Sequence, residues 1–233
     1  FKANPRRALG VSLTSWKSYC LDHIQKKSAL LERGIVCLMS LYAFVARDAD
    51  ARALDGRSKV GRAYGRLVSE VTASVTRQRG FYLWGTYEPN GLWRNIYLGK
   101  AGFRKTADLR ARIAETLRDE RAFLWSKTKQ GDDLDRLGAK YYPSKWHQYR
   151  KGLSRTLRKG GATHIVWVAV PTLAEAMVEQ VEADLVESLN PAANLKRPKP
   201  PDSLQDVTWE VFGAMRLVIH ANRSLDHGAH DVV

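Results

Sequence analysis

Residues 80–99 read GFYLWGTYEPNGLWRNIYLG, a pattern that predicts a β-hairpin. The first part, Phe81–Tyr87, is rich in aromatic residues, which favour a pleated, half-buried strand. Glu-Pro-Asn-Gly at 88–91 is a strong turn signal, because proline presets a turn dihedral and glycine tolerates left-handed backbone. The segment Asn95–Gly99 then predicts the returning strand.

The elements expected after the hairpin alternate between helix and strand. A helix is predicted over about 105–118, and the alternating β-branched residues of 163–170 predict a strand. A further helix follows Pro171, a residue favoured at helix starts, and Asn190-Pro191 ends it. We therefore expect the α+β class: a small mixed α/β domain of hairpin, helix, strand and helix.

Helical segments are expected on both sides of this domain. Residues 1–79 carry apolar residues at helical spacing, including a helix predicted over about 30–48. Beyond a proline-containing linker, a last helix is predicted over about 206–222. The sequence therefore divides into a helical N-terminal segment at 1–79, a central domain at 80–196, and a linker and helix at 197–233.

The charge balance indicates a polyanionic partner. Lys and Arg number 38 against 24 acidic residues, which gives a formal net charge of +14. Such a chain gains affinity for polyanions by releasing their counterions. Nucleic acid is the leading candidate, with an acidic membrane surface or an acidic protein as alternatives. Charge alone does not indicate an enzyme, since many ribosome-associated and chaperone-like proteins are basic.

The cysteines and the apolar runs indicate the compartment. The chain has two cysteines, Cys20 and Cys37, without a Cys-x-x-Cys motif, so neither a disulfide framework nor a zinc knuckle is predicted. The longest apolar run, at 35–46, is too short to span a bilayer, and no signal peptide is visible. We expect a cytoplasmic protein without membrane association.

An ordered set of residues carries a chemical signal that no single tripeptide carries. Gly-Phe-Tyr opens the first hairpin strand, Tyr-Leu-Gly lies in the second, an arginine follows on the next helix, and a glutamate lies on a later helix. The set consists of Gly80, Tyr82, Tyr97, Gly99, Arg112, Glu182, Pro191 and Asn194. It resembles the pattern of the GIY-YIG nuclease family, over about residues 80–195.

The resemblance implies a metal-dependent endonuclease that hydrolyses DNA phosphodiesters. Glu182 is then the ligand of Mg²⁺ (or Mn²⁺), because one carboxylate, a phosphate oxygen and waters complete an octahedral site. No small-molecule cofactor is expected. The alternative is a solvated helix face, since Glu175 and Glu179 lie on the same side of the predicted helix as Glu182.

The same resemblance gives roles to Arg112 and Asn194. The guanidinium of Arg112 would stabilise charge on the scissile phosphate, and Arg110 is its nearest rival in the sequence. Asn194 would fix the loop that follows the glutamate helix, or contact the phosphate.

The two tyrosines have a chemical role and a structural alternative. Tyr82 would orient or deprotonate the attacking water. Because an ordinary phenol has a pKa of about 10, it needs a nearby cation such as the metal, Lys100 or Arg112. Tyr97 would support that step or hydrogen-bond across the hairpin. The alternative for both is sheet packing, which is common for tyrosine.

A basic insertion is predicted within the central domain, at about 119–161. No acidic residue occurs between Arg136 and Ala174, and a helix at about 145–159 would carry cations on one face and leucines on the other. Solvated charged faces normally mix signs, so we expect this one to bind phosphates. The cations expected to contact DNA are Arg104, Lys105, Lys145, Arg150, Lys151, Arg155, Arg158 and Lys159.

The compact chain and its basic insertion favour a sequence-specific, restriction-type enzyme that acts on double-stranded DNA, of microbial or phage-like origin. One active site per chain would then require a homodimer or two successive cuts. The alternatives are a structure-specific repair or recombination nuclease, a non-catalytic basic nucleic-acid-binding module, and an RNA-directed nuclease.

Overall fold

The computed structural model describes residues 26–47, 59–103, 106–119, 161–194 and 206–227. These residues form a four-stranded antiparallel sheet with helices, so the expected mixed α+β class is confirmed. The strands are β1 (Arg33–Cys37), β2 (Gly80–Tyr87), β3 (Trp93–Ala101) and β4 (His164–Ala169). The helices are α1 (Met39–Arg47), α2 (Lys59–Val71), α3 (Leu109–Asp119), α4 (Val178–Leu189) and α5 (Asp206–His227).

The predicted hairpin is confirmed as β2 and β3, and β3 is longer than expected at both ends. In the turn, Gly91 has a φ of 73°, the left-handed conformation that glycine adopts without steric cost. The strands lie in the order β1-β4-β2-β3, which places β3 at one edge of the sheet that the described residues form. β4 is central, and all of His164–Ala169, which is apolar from Ile165 onward, is buried.

The helix predicted over about 30–48 is wrong in its first part. Arg33–Cys37 forms β1, which pairs antiparallel with β4, and the helix begins only at Met39. Short apolar runs fit a strand or a helix equally well by period, and here pairing with a distant strand determines the outcome. The N-terminal segment is therefore not all helical. Cys37, free and exposed, ends β1.

The sheet separates two hydrophobic layers. Side chains alternate along β2, so Tyr82 and Trp84 enter the layer beneath α1, α2 and α3. Phe81 and Leu83 enter the opposite layer, beneath α4 and α5. Helices thus cover both faces of the sheet. The N-terminal helices α1 and α2 pack in the same layer as Tyr82 and Trp84 of the hairpin.

Local signals account for the ends of two helices. The Asp108 carboxylate accepts a hydrogen bond from the Ala111 backbone N–H at 2.8 Å and so caps the start of α3. At the end of α4, Asn190 adopts a left-handed φ of 44°, which confirms the predicted stop. α4 begins later than expected, because 175–177 form a 3₁₀ turn, and α5 extends past the predicted 222 to His227.

Part of the sequence prediction lies outside the described residues. This applies to Cys20, to the basic insertion with its helix at about 145–159, and to the proline-containing linker. It also applies to every predicted DNA contact, Arg104 and Lys105 included. None of the described helices combines the length and apolar character that a bilayer span requires.

Candidate active site

A cavity of about 590 Å³ lies beside the C-terminal half of the edge strand β3, between α3 and α4. Most of the residues that the sequence predicts to be catalytic line this cavity. The predicted catalytic residues that line it are Tyr82, Tyr97, Lys100, Arg112 and Glu182. Three further glutamates, Glu115, Glu175 and Glu179, line it as well. Asn194 does not.

The cavity receives side chains from both faces of the sheet. Tyr82 belongs to the layer beneath α3, and its ring lies 6.4 Å from that of Tyr97, centroid to centroid. Lys100 pairs in register with Phe81, a residue of the layer beneath α4. The side chains from the two faces of the sheet meet beyond β3, because this strand forms the edge of the sheet. α3 and α4 thus contribute to one pocket although they pack on opposite faces.

Gly99 provides the space in which Tyr82 lies. The two residues are direct partners across β2 and β3, and the phenol ring crosses the glycine. A Cβ added at Gly99 would lie 2.5 Å from the Tyr82 hydroxyl oxygen, closer than real Cβ atoms approach. A Cβ added at Gly80 would overlap the Val168 carbonyl oxygen. Both motif glycines thus permit close approach, as expected for glycine within strands.

Arg112 extends from α3 to the phenol of Tyr82. Its guanidinium hydrogen-bonds to the Tyr82 side chain and donates to Glu115 Oε2 at 3.0 Å. Burial alone would lower the pKa of Arg112, but the attraction of Tyr82 and the hydrogen bonds to Glu115 and Tyr82 raise it above its ordinary value. A permanent cation therefore lies next to the phenol oxygen.

Arg110, the rival arginine on α3, has a different task. Its Nε donates to the Val75 carbonyl and its Nη2 to the Ala73 carbonyl, both at 2.6 Å. These bonds attach α3 to the segment that follows α2. Arg110 is therefore a structural residue, and Arg112 is the arginine of α3 that lines the cavity.

Lys100 lies between two carboxylates of α4. Its Nζ is 2.6 Å from Glu179 Oε1 and 2.8 Å from Glu182 Oε2. Burial alone would lower the pKa of Lys100, but the hydrogen bonds to Glu179 and Glu182 raise it overall. The Glu182 side chain is 27% exposed, against 65% for Glu179. Glu182 is thus the more enclosed of the two, inside a pocket instead of on an open helix face.

Glu179 is one of the residues of this pocket to which the sequence analysis gives no catalytic role. Its spacing of three from Glu182 was visible, but it was assigned to the solvated-face alternative. Residues three apart lie side by side on a helix, so the two carboxylates can reach the same cation. The cation that both carboxylates contact is Lys100, which lies on β3, far from α4 in the sequence.

The donor atoms at this place suit a hard divalent cation. Mg²⁺ prefers oxygen ligands, and it commonly binds one or two protein carboxylates together with waters and substrate phosphates. Glu179 and Glu182 already hold a cation, the Lys100 ammonium, between them. Over the described ranges, no group of three or more His, Cys, Asp or Glu side chains is arranged to hold a metal. The residues present fit the predicted Mg²⁺ or Mn²⁺, with Glu182 as the enclosed ligand.

Asn194 holds β3 in place from outside the cavity. Its Oδ1 accepts a hydrogen bond from the Leu98 backbone N–H at 2.9 Å, and its Nδ2 donates to the Leu98 carbonyl at 3.0 Å. Leu98 lies between Tyr97 and Gly99, so Asn194 fixes the strand that carries the pocket. These two bonds agree with the predicted role of fixing the loop that follows α4, and a contact of Asn194 with the phosphate stays a prediction.

Asp184 fixes the helix that carries the two glutamates. Its carboxylate is fully buried, and it accepts hydrogen bonds from Gln180 Nε2 at 2.7 Å and from Thr208 Oγ1 at 3.1 Å. Thr208 belongs to α5. A buried carboxylate requires such partners, so this group ties α4 to α5 and sets the orientation of Glu182.

The comparisons with known proteins found no match: no family model, no curated protein and no solved structure matches this chain. The resemblance to the GIY-YIG pattern therefore depends on the ordered residues themselves.

Proposed function

We propose that this chain is a divalent-metal-dependent endonuclease of the GIY-YIG type that hydrolyses phosphodiester bonds in double-stranded DNA. One observation supports the proposal above all others. Residues chosen from the sequence for a common chemistry, from Tyr82 to Glu182, line a single cavity although they come from two strands and two helices. If the two tyrosines served only to pack the sheet, nothing would require an arginine, a lysine and a glutamate to line the same cavity.

Tyr82 would first release its phenol proton to solvent, and the resulting phenolate would then take a proton from the attacking water. Its hydroxyl lies at the cavity wall beside the guanidinium of Arg112, and its ring is only 3% exposed. A neighbouring cation stabilises the negative charge that a phenol gains when it gives or shares its proton. Tyr97, whose ring is next to that of Tyr82, would limit the positions open to the water.

Arg112 and Lys100 would bind the phosphate. A guanidinium donates to two phosphate oxygens at once, and fixed cations in a partly dry site stabilise the charge that develops in the transition state. Glu182, with Glu179 beside it, would hold the metal ion. When bound, the metal supplies Lewis-acid stabilisation of the phosphoryl and leaving oxygens. The Lys100 ammonium, which lies between these carboxylates in the structure, would turn toward the phosphate when they hold the metal.

The proposed substrate follows from charge and organisation. A formal net charge of +14 favours a polyanion such as duplex DNA, and the predicted basic insertion would add phosphate contacts. We place the enzyme among the sequence-specific, restriction-type nucleases, acting as a homodimer or by two successive cuts. Such an enzyme would work in the cytoplasm of a microbial cell, where its DNA substrate is located.

Digestion of long duplex DNA tests this proposal. With Mg²⁺ the full chain is expected to convert plasmids of known sequence into discrete fragments, and with EDTA to leave them intact. Nicking confined to branched or damaged DNA would favour the structure-specific alternative and overturn the restriction-type assignment. Binding that persists without any cleavage, over a range of sequences and with Mn²⁺ as well, would leave only a nucleic-acid-binding module.

The close approach of the Tyr82 ring to Gly99 leads to a prediction about the cleavage rate. Replacing Gly99 with alanine should lower the cleavage rate by at least about tenfold, because a misplaced catalytic group costs rate steeply. The added Cβ would displace the Tyr82 phenol from the Arg112 guanidinium. Gly65→Ala is the matched control, since a Cβ there meets nothing within 4 Å. Initial nicking rates at equal folded fraction give the comparison; a wild-type rate in Gly99→Ala would show that the phenol position is unimportant.

A further inference from the structure

A second cavity, of about 300 Å³, lies at the opposite end of β3, between the hairpin turn and α5. We propose that it binds a phosphate group of the DNA backbone, several nucleotides away from the bond that is cut. The inference rests on the proposed nuclease function and extends it to a second contact with the same substrate. The residues that carry it are Tyr87, Trp93, Phe212, Arg216, His220 and Arg223.

The charge of this cavity is of one sign. Arg216, His220 and Arg223 are spaced by four and three residues, so they form one stripe along α5, and all three are exposed. None of the described residues that line the cavity is acidic. Among the side chains that the structure describes, which on α5 end at Arg223, no ion pair joins Arg216 or Arg223 to a carboxylate, in contrast to Arg79, Arg94 and Arg112. A stripe of this kind attracts an anion from outside.

Neutral groups hold the two guanidiniums in place. The Arg216 guanidinium carbon lies 5.8 Å from the centroid of the Phe212 ring, a cation–π distance. Arg223 donates a long 3.5 Å hydrogen bond to the Asn90 carbonyl. Because neither arginine is neutralised by these partners, most of their N–H donors remain available to phosphate oxygens.

The second cavity is aligned with the first. β3 and α4 each border both: β3 through Trp93 and Lys100, and α4 through Leu189 and Glu182. Seven residues of strand cover about 23 Å, and seven residues of helix cover about 10 Å. At about 3.4 Å per base pair, this separation corresponds to roughly three to seven base pairs. One duplex lying along the β3 edge can therefore reach both cavities.

Salt-dependent binding tests this contact without requiring cleavage. The full chain carrying Arg216→Ala and Arg223→Ala is compared with wild type by fluorescence anisotropy, on a labelled duplex of about 20 base pairs in EDTA, over a series of KCl concentrations. Loss of this phosphate contact should weaken binding by about tenfold or more and lower the steepness of log K against log salt by about one. Lysine at both positions should restore most of the slope.

The matched control is Arg66→Ala with Arg77→Ala, which removes the same charge from two exposed arginines on the α2 side of the molecule. If the α5 variant keeps the dissociation constant and slope of this control, the second cavity does not bind DNA phosphate, even if the enzyme cuts DNA. If the slope falls as expected but wild type never cuts DNA, the contact stands and the nuclease proposal fails.

Discussion

Replacing Glu182 with glutamine is expected to lower Mg²⁺-dependent DNA cleavage by at least about a thousandfold, while duplex binding stays within a few fold. The substitution keeps the shape of the side chain but removes the charge that would hold the metal. Metal stabilisation of a phosphoryl transition state is worth several kcal/mol, and about 4 kcal/mol corresponds to a thousandfold in rate. Binding should persist because most phosphate contacts would come from elsewhere on a basic chain. Single-turnover cleavage and anisotropy on the same duplex measure the two effects.

Glu187→Gln is the matched control, because Glu187 lies exposed on the same helix and does not line the cavity. It should cut at the wild-type rate. Retained cutting by Glu182→Gln would remove Glu182 from the site. If Glu179→Gln abolished cleavage while Glu182→Gln did not, the metal would belong to Glu179, the more exposed partner of Lys100.

Replacing Arg112 with alanine is expected to lower the cleavage rate by about a hundredfold to a thousandfold, the usual cost of removing one fixed donor to a developing charge. The cavity would lose both the cation beside Tyr82 and a candidate phosphate ligand. Stability should change little, because the ion pair of Arg112 with Glu115 is exposed, and such helix pairs contribute only about 0.3–0.5 kcal/mol. Single-turnover rates and thermal unfolding separate these effects.

Arg118→Ala provides the control for charge, since Arg118 lies exposed on the same helix, outside the cavity lining. It should cut at close to the wild-type rate. The assignment of Arg112 to the transition state would be wrong if Arg112→Ala weakened binding and cleavage by the same factor. That result would make Arg112 a simple phosphate contact that acts equally before and during the reaction.

The parts of the fold that the sequence predicted well have local causes. The hairpin follows from the turn at 88–91, where Gly91 takes the conformation that few other residues accept. The end of α4 follows from Asn190 and the proline after it. In each case the determining residues are within a few positions of the element, so a single sequence contains the whole signal.

The parts that were wrong or missed have distant causes. β1 was predicted as helix because Ile35 and Val36 fit either period, and its partner in β4 lies in a remote part of the chain. The place of Glu179 in the pocket depends on Lys100. The convergence of Tyr82, Arg112 and Glu182 was expected from a family pattern, since no periodicity encodes contact across a sheet edge.

The central position of β4 has a consequence for the growing polypeptide. The hairpin can close on itself within about 1–10 μs. The partner of β1 among the described strands is β4, so Arg33 cannot pair until Val168 has been synthesised. At a synthesis rate of about 5–20 residues per second, the delay on the ribosome is on the order of ten seconds. During that time the apolar Ile35 and Val36 are without their final neighbours in β4.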